Sequence, residues 1–377
     1  MAGRGSTADG AAAVRATLEV LRYDPEKDGA PADAAATGAR LQRYEVELPA
    51  GSTVLEALMH VQDHIDGSLA FRRSCRHGIC GSCGMRVNGC ARLACTTQLS
   101  LAVAEAERRA ARAALAQGVT DPAAAAASAP AAGAASSADP AMPLVRIEPL
   151  GNMPVIKDLV TDMTAFWQKL RSVQPWLQSL EERSGDDRER LMAPHQQAVL
   201  AEGVLCVECG ACYSDCVAVE ASSDFVGPTA LVKAYRYAYD VRDDQTHRRL
   251  YELNEEHGLW ECARCYTCTQ RCPKHLRVRE LIGRLAELAQ VEGLRTDAAV
   301  KRAHAFVKGI EQTGRVDERS LGVDTVGALR VAADAPAATK AVMAGKVKVG
   351  RREPVSDVEL VRRICERLAD DAPEVRP

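Results

Sequence analysis

Two cysteine runs in the middle of the chain repeat one another. Cys206, Cys209, Cys212 and Cys216 form the first, and Cys262, Cys265, Cys268 and Cys272 the second; both read C-x2-C-x2-C-x3-C. This is the spacing of paired ferredoxin cubanes, in which the fourth cysteine of each run serves the other cluster. Three thiolates separated by two residues wrap one corner of a cluster in a tight loop, while a fourth, three residues further on, stands at the start of a helix and points away. Cys206, Cys209, Cys212 and Cys272 are therefore expected to hold one [4Fe–4S] cluster. Cys216, Cys262, Cys265 and Cys268 are expected to hold a second, which becomes a [3Fe–4S] cluster if Cys265 stands outside it. Structural zinc also uses C-x2-C pairs, but four ligands per ion leave no reason for a third cysteine at the same interval, repeated twice.

A third constellation lies upstream. Cys75, Cys80 and Cys83 read C-x4-C-x2-C, and Cys95 follows twelve positions later, the plant-type [2Fe–2S] pattern. Asn88-Gly89 between them is a type I′ hairpin signal, and the hairpin would carry Cys95 back to the cluster loop. Gly78, Gly81 and Gly84 are expected to let the backbone close around the cluster and aim N–H groups at sulfur. Cys90 does not fit the spacing and reads as a buried or bystander thiol. Arg72, Arg73 and Arg76 either offset the cluster's negative charge or face an acidic partner, or else form a solvated basic loop.

Composition agrees with a metal-bearing chain. Of 14 cysteines in 377 residues, 13 lie between Cys75 and Cys272, which is metal usage rather than a disulfide framework and implies a reducing compartment. A formal net charge of −3 gives no case for nucleic acid. The start of the chain has neither a signal-peptide apolar core nor a twin arginine, and no apolar run reaches the roughly 18 residues of a membrane span. Histidines are scattered, and no catalytic acid, base or nucleophile stands out.

The elements that must position these cysteines follow from patterning. Residues 1–14 are small and polar and are expected to be disordered. Ala16–Tyr23 reads as a strand, 25–38 as a loop, and the alternation of Tyr44, Val46 and Leu48 as a second, half-buried strand. Thr53 and Glu56 form a capping box ahead of Val54, Leu58 and Val61 at helical spacing. Leu101–Gln117 is expected to be helical at the start of an Ala-rich, low-complexity insertion at about 101–141, and Leu144–Pro149 to be the last strand. A helix is expected from Val155 to Trp176, with others at Pro228–Tyr239, Thr246–His257 capped by Gly258, Arg279–Glu292, His304–Gly314 and Asp357–Leu368; Cys365 in the last reads as a core residue. The fold class is thus α+β. A β-grasp plant-type [2Fe–2S] ferredoxin domain spans 15–150, an all-α ferredoxin-like domain with two cubane sites 151–290, and a helical extension 291–377.

These residues add up to a resemblance. The segments Ser74–Met85, Pro154–Met163, Gly227–Arg236 and Cys268–Lys274 resemble the iron–sulfur subunit of succinate dehydrogenase and fumarate reductase, over about Thr17 to Arg284 with the Ala-rich insertion interrupting it. The resemblance implies three clusters relaying electrons between a flavoprotein subunit that carries FAD and a membrane subunit that reacts with quinone, with the chain peripheral on the cytoplasmic side of the inner membrane. Departures accompany it. The common family pattern lacks the second cysteine of the second run and holds a [3Fe–4S] cluster there; here that position is Cys265. A proline and tryptophans usually follow the fourth cysteine of the first run, where this chain has Val217–Glu220, and a usual histidine is Ala263, so quinone contacts do not carry over. The full cysteine set is more similar to a divergent branch that pairs with heterodisulfide-reductase-like subunits, and His304–Glu318 looks like the tail of such relatives. The competing function is a soluble iron–sulfur adaptor for another flavoenzyme, such as a 2-hydroxy-acid oxidase or a heterodisulfide or thiol reductase.

Overall fold

Alternation and capping build the first part of the chain, with two differences from the patterning: Ala13 and Val14, expected to be disordered, open the first strand, and Pro25–Asp28 of the expected loop is a short helix. The computed structural model describes residues 13–28, 38–116, 142–179, 189–255, 257–294, 298–316, 318–333, 336, 339–340, 343–344 and 353–370. The polar N-terminus to residue 12, most of the 25–38 loop and the insertion from 117 to 141 lie outside the described residues. Strands β1 (Ala13–Arg22) and β2 (Arg40–Pro49) pair antiparallel with Leu18 opposite Tyr44, and β5 (Leu144–Glu148) joins the other side of β1 in parallel. The hairpin of β3 (Gly84–Val87) and β4 (Cys90–Leu93) completes a five-stranded mixed sheet in the order β2-β1-β5-β3-β4. β1 lies between β2 and β5, and its Ala16, Leu18 and Val20 are fully buried.

Two short-range signals behave as expected. Thr53 and Glu56 form the reciprocal capping box of helix Val54–His64, whose Leu55, Leu58 and Val61 pack into the sheet core; such a cap contributes about 1 kcal/mol. Asn88 and Gly89 both take positive φ (50° and 72°), the type I′ geometry that matches strand twist. The Asn88 side chain is buried and tied down, donating to Ala102 O at 2.8 Å and accepting from Arg146 N at 3.1 Å. The helix expected near Leu101 runs Leu99–Ala116.

The helix expected from Val155 begins only at Thr164 and runs to Ser172. Residues before it form a small hairpin, β6 (Val155–Lys157) with β7 (Val160–Thr161). The cause is Asp158, left-handed at φ 47°, whose carboxylate accepts from Arg22 Nε (2.9 Å), Tyr23 N (3.0 Å) and Ala70 N (2.8 Å). Three donors distant in sequence override the helical spacing of Leu159 and Met163. Asp162 then accepts the N–H of Thr164 at 2.8 Å and starts the helix.

The chain divides into two units: Met1–Pro175 with Glu202–Lys233 and Ala263–Glu280, and Trp176–Ala201 with Ala234–Cys262 and Leu281–Pro377. The described elements of the second unit are helical. Tyr235, Leu250, Leu253, Leu281, Leu285 and Leu288 are buried there, and Arg249 is held by Asp243 at 2.8 Å and by Trp176 O at 2.7 Å. Helix Thr246–Asn254 ends three residues before His257, so Gly258 is not its cap. Beyond residue 291, helices Ala298–Thr313, Glu318–Val326, Ala328–Ala333 and Val358–Asp370 follow. Cys365 on the last is half-buried rather than enclosed.

Candidate iron–sulfur centres

The loop after Leu69 is a cradle of N–H groups around sulfur. Cys75 Sγ accepts from the N–H of His77 (3.4 Å), Ile79 (3.4 Å) and Cys80 (3.3 Å), and Cys80 Sγ from Cys75 N at 3.5 Å. Left-handed Arg76, Gly78 and Gly81 turn these donors inward, as in a backbone nest. Cys83 and Cys95 close the site from the buried side, while Cys80 and its neighbour Ile79 face solvent. The donor set fits a [2Fe–2S] group: four thiols, with N–H groups aimed at sulfur, which stabilise added electron density. The environments split the thiols. Hydrogen bonds from the Ser82 hydroxyl and Cys75 N–H lower the Cys80 thiol to about 6, and burial pushes Cys83 up to about 12. In cluster-free chain at neutral pH, Cys80 is expected to be alkylated by iodoacetamide well ahead of Cys83, which peptide mapping of a time course reads directly.

The two cubane runs repeat in backbone as well as in sequence. Glu208 and Arg264, each two residues after the first cysteine of its run, have φ of 56° and 54°. Gly210 and Tyr266, each one residue after the second cysteine, have 77° and 64°. A short helical turn follows in each, Ala211–Ser214 and Thr267–Arg271. Cys216 then stands at the N-cap of helix Val217–Ala221, where the spacing places a ligand that points away.

Cys206, Cys209, Cys212 and Cys272 line one cavity together with Thr229, Leu276 and Val278. All four belong to the first unit. Burial raises the thiols of Cys206, Cys209 (to about 11) and Cys212, and the neighbouring sulfurs Cys206, Cys209 and Cys268 push Cys212 further. Four soft donors around a mostly apolar hollow fit a [4Fe–4S] cluster, whose binding would release their protons. For the second centre, Cys216 and Cys268 are buried and Cys265 is exposed. Thr267 Oγ1 lies 3.4 Å from Cys265 Sγ and, donating to the thiolate, lowers its pKa. Cys262 ends its segment of the second unit, leaving the turn Leu259–Glu261 in an extended conformation. Among the described residues no three His, Cys, Asp or Glu side chains converge as on a single ion.

The cradle and the first cubane loop touch. A Cβ on Gly81 would lie 2.9 Å from both Cα and Cβ of Cys209, and one on Gly84 would lie 3.0 Å from Cys209 O. Gly84, unlike Gly81, has no positive φ; what requires glycine there is this close approach. Asp215 fastens the same junction, accepting from Ala91 N (3.1 Å) and Arg271 Nε (2.7 Å) and pairing with Arg86 at 3.4 Å.

Residues 17–168 match the family model of a 2Fe-2S iron-sulfur cluster binding domain, and residues 204–276 that of a 4Fe-4S dicluster domain. The chain is 35% identical over 260 residues to the fumarate reductase iron-sulfur subunit of Mycobacterium tuberculosis, covering 69% of this chain and 87% of that one. It is 32% identical to the subunit of the same name from Escherichia coli, over 69% and 86%. The chain belongs to the family of succinate dehydrogenase and fumarate reductase iron–sulfur subunits. A solved chain of the Mycobacterium smegmatis Sdh1 complex in the apo form shares the fold, with a TM-score of 0.53 and 24% identity over 74% of this chain and 97% of that one. This iron–sulfur subunit is therefore an electron-transfer protein with [2Fe–2S] and [4Fe–4S] binding domains and a mixed α and β chain. Among its described residues no helix is long and apolar enough to cross a membrane.

Sequence reasoning passed over three polar residues at the junction and the first cubane: Asp215, Thr229 and Lys233. Lys233 Nζ lies 2.7 Å from Glu208 Oε1 and donates to Cys206 O at 3.1 Å. Asp215 directly precedes Cys216, and Thr229 and Lys233 lie in the helix Pro228–Ala238, inside the segment Gly227–Arg236 that carries the resemblance, but spacing alone assigns none of them a role. Cys90 is buried, with Arg109 Nη2 3.2 Å from its sulfur, as a thiol outside the cluster spacing should be.

Proposed function

We propose that this subunit carries three clusters between a flavoprotein subunit bearing FAD and a quinone-reactive membrane subunit, with Cys75, Cys80, Cys83 and Cys95 at the first, Cys206, Cys209, Cys212 and Cys272 at the second and Cys216, Cys262, Cys265 and Cys268 at the third. When bound, the clusters each take up and release single electrons. The observation that carries this reading is the Gly81–Cys209 approach, which leaves no side chain between the [2Fe–2S] cradle and the first cubane loop. The five-stranded sheet with its packed helix suits a β-grasp domain to about residue 150, followed by a helical bis-cluster domain to about 290 and a helical extension.

The exposed Ile79, beside Cys80 in a loop that also exposes Arg72, Arg73 and Arg76, supports the cradle rim as the side that meets the flavoprotein. A second [4Fe–4S] in place of [3Fe–4S] lowers the expected potential of the last centre and favours the divergent branch, with a heterodisulfide-reductase-like partner and the fumarate-reducing direction. Peripheral attachment on the cytoplasmic side completes the reading. Affinity purification of the tagged chain from its native host tests it: a large FAD-containing subunit with succinate-dependent dye reduction is expected. Recovery with a flavoprotein inert to succinate and fumarate would favour a soluble adaptor for another flavoenzyme instead.

A further inference from the structure

We infer that one face of the helix Pro228–Ala238 sets the reduction potential of the first cubane, with the Thr229 hydroxyl as the tuning group. This rests on the ligand set Cys206, Cys209, Cys212 and Cys272 proposed above. Thr229 is buried, and its Oγ1 lies 3.1 Å from Cys212 Sγ. In a free thiol either atom can donate. A sulfur bound to iron carries no proton, so the hydroxyl becomes the donor and the contact turns into an O–H···S hydrogen bond to a cluster ligand.

Such a bond strengthens as the cluster gains negative charge, so it favours the reduced state and raises the potential. Lys233 lies one helical turn further on the same face, with its side chain mostly buried and its ammonium bound to Cys206 O and Glu208. The Glu208 carboxylate cancels much of that charge at a distance. The hydroxyl has no such counterweight, because it contacts the ligand sulfur itself.

The test is a redox titration of the purified complex followed by electron paramagnetic resonance, comparing wild type with Thr229→Val and Thr229→Ser. Valine keeps the volume and branching and removes the donor; serine keeps the donor. Thr229→Val is expected to reduce the equilibrium constant for reduction of the first cubane about tenfold, which is about 59 mV for one electron. Thr229→Ser should stay near wild type, and the [2Fe–2S] potential should not move in either. An unshifted potential in Thr229→Val, with iron and sulfide content intact, overturns the inference. A second readout needs no variant: the reduced wild-type cubane should show an exchangeable proton coupling that disappears in deuterium oxide, and its absence likewise overturns the inference. Wild-type protein with no [4Fe–4S] signal at all would instead overturn the ligand set, a failure distinct from that of the tuning role.

Discussion

Cys265→Ala is expected to convert the last centre from a cluster that is silent when oxidised into one that is paramagnetic when oxidised. Oxidised [2Fe–2S] and [4Fe–4S] clusters are diamagnetic, whereas an oxidised [3Fe–4S] cluster is not. Removing the corner ligand leaves Cys216, Cys262 and Cys268, which suffice for three irons. The side chain is exposed, so the substitution should cost the fold within about 0.5 kcal/mol, and any spectral change reports ligation rather than damage. The Thr267 hydroxyl beside Cys265 Sγ holds its thiolate available, as a ligand needs. Anaerobic protein, oxidised and then reduced, is compared by electron paramagnetic resonance. A new oxidised signal approaching one spin per chain, with a higher midpoint potential at that centre, is the expected result. If wild type already shows that signal when oxidised, Cys265 is not a ligand and the centre is a three-iron one.

The backbone of the two cysteine runs was readable because their spacing is a statement about short loops. An interval of two residues dictates a tight turn whatever surrounds it, and the structure supplies that turn twice, down to left-handed residues at matching positions. Asn88-Gly89 and the Thr53–Glu56 box are local in the same sense. The extent of conformational demand was less readable. Glu208, Arg264 and Tyr266 adopt positive φ without being glycine, at a cost of roughly 1–2 kcal/mol each, and nothing in those side chains announces it. The spacing of the run dictates the backbone there, not the propensity of the residue.

Long-range contacts account for what pattern did not anticipate. Gly81 and Gly84 look alike in sequence, but only Gly81 combines a left-handed turn with the approach to Cys209. Val155–Val173 carries apolar residues at helical intervals, yet its first half is a hairpin because Asp158 meets partners 88 to 136 positions away. Thr229 beside Cys212 is invisible to spacing for the same reason: a hydroxyl becomes functional only when folding brings a ligand sulfur to it.

Asp158→Ala is expected to destabilise the first unit by about 3–5 kcal/mol, the range for removing one member of a buried charged pair. Its side chain is 2% exposed and that of Arg22 5%. The carboxylate satisfies Arg22 Nε and the N–H groups of Tyr23 and Ala70 at once, so alanine leaves two buried donors and a half-buried one short of an acceptor, each buried one worth about 1–3 kcal/mol in isolation. The sum does not reach its ceiling because Arg22 keeps Asp66, Tyr44 and Ser68. Asp158→Asn should fall between, since its oxygen replaces one acceptor while its amide turns a donor toward a donor. Heating followed by visible circular dichroism of the [2Fe–2S] centre reads this unit, and a drop of roughly 10–20 °C corresponds to that range; a loss below about 1 kcal/mol would mean the hub is dispensable. Asp66 gives the same network an acid limit. Burial opposes its ionisation, but hydrogen bonds from Ser68, Tyr44 and Arg22 outweigh burial and hold it well below the usual carboxylate range. A depressed carboxylate stabilises the fold above its unfolded value near about 3.9 and loses that contribution as pH falls toward the folded one. The share owed to Asp66 is therefore intact at neutral pH and lost progressively below about pH 4, and Asp66→Asn should remove that part of the acid dependence while lowering stability at neutral pH.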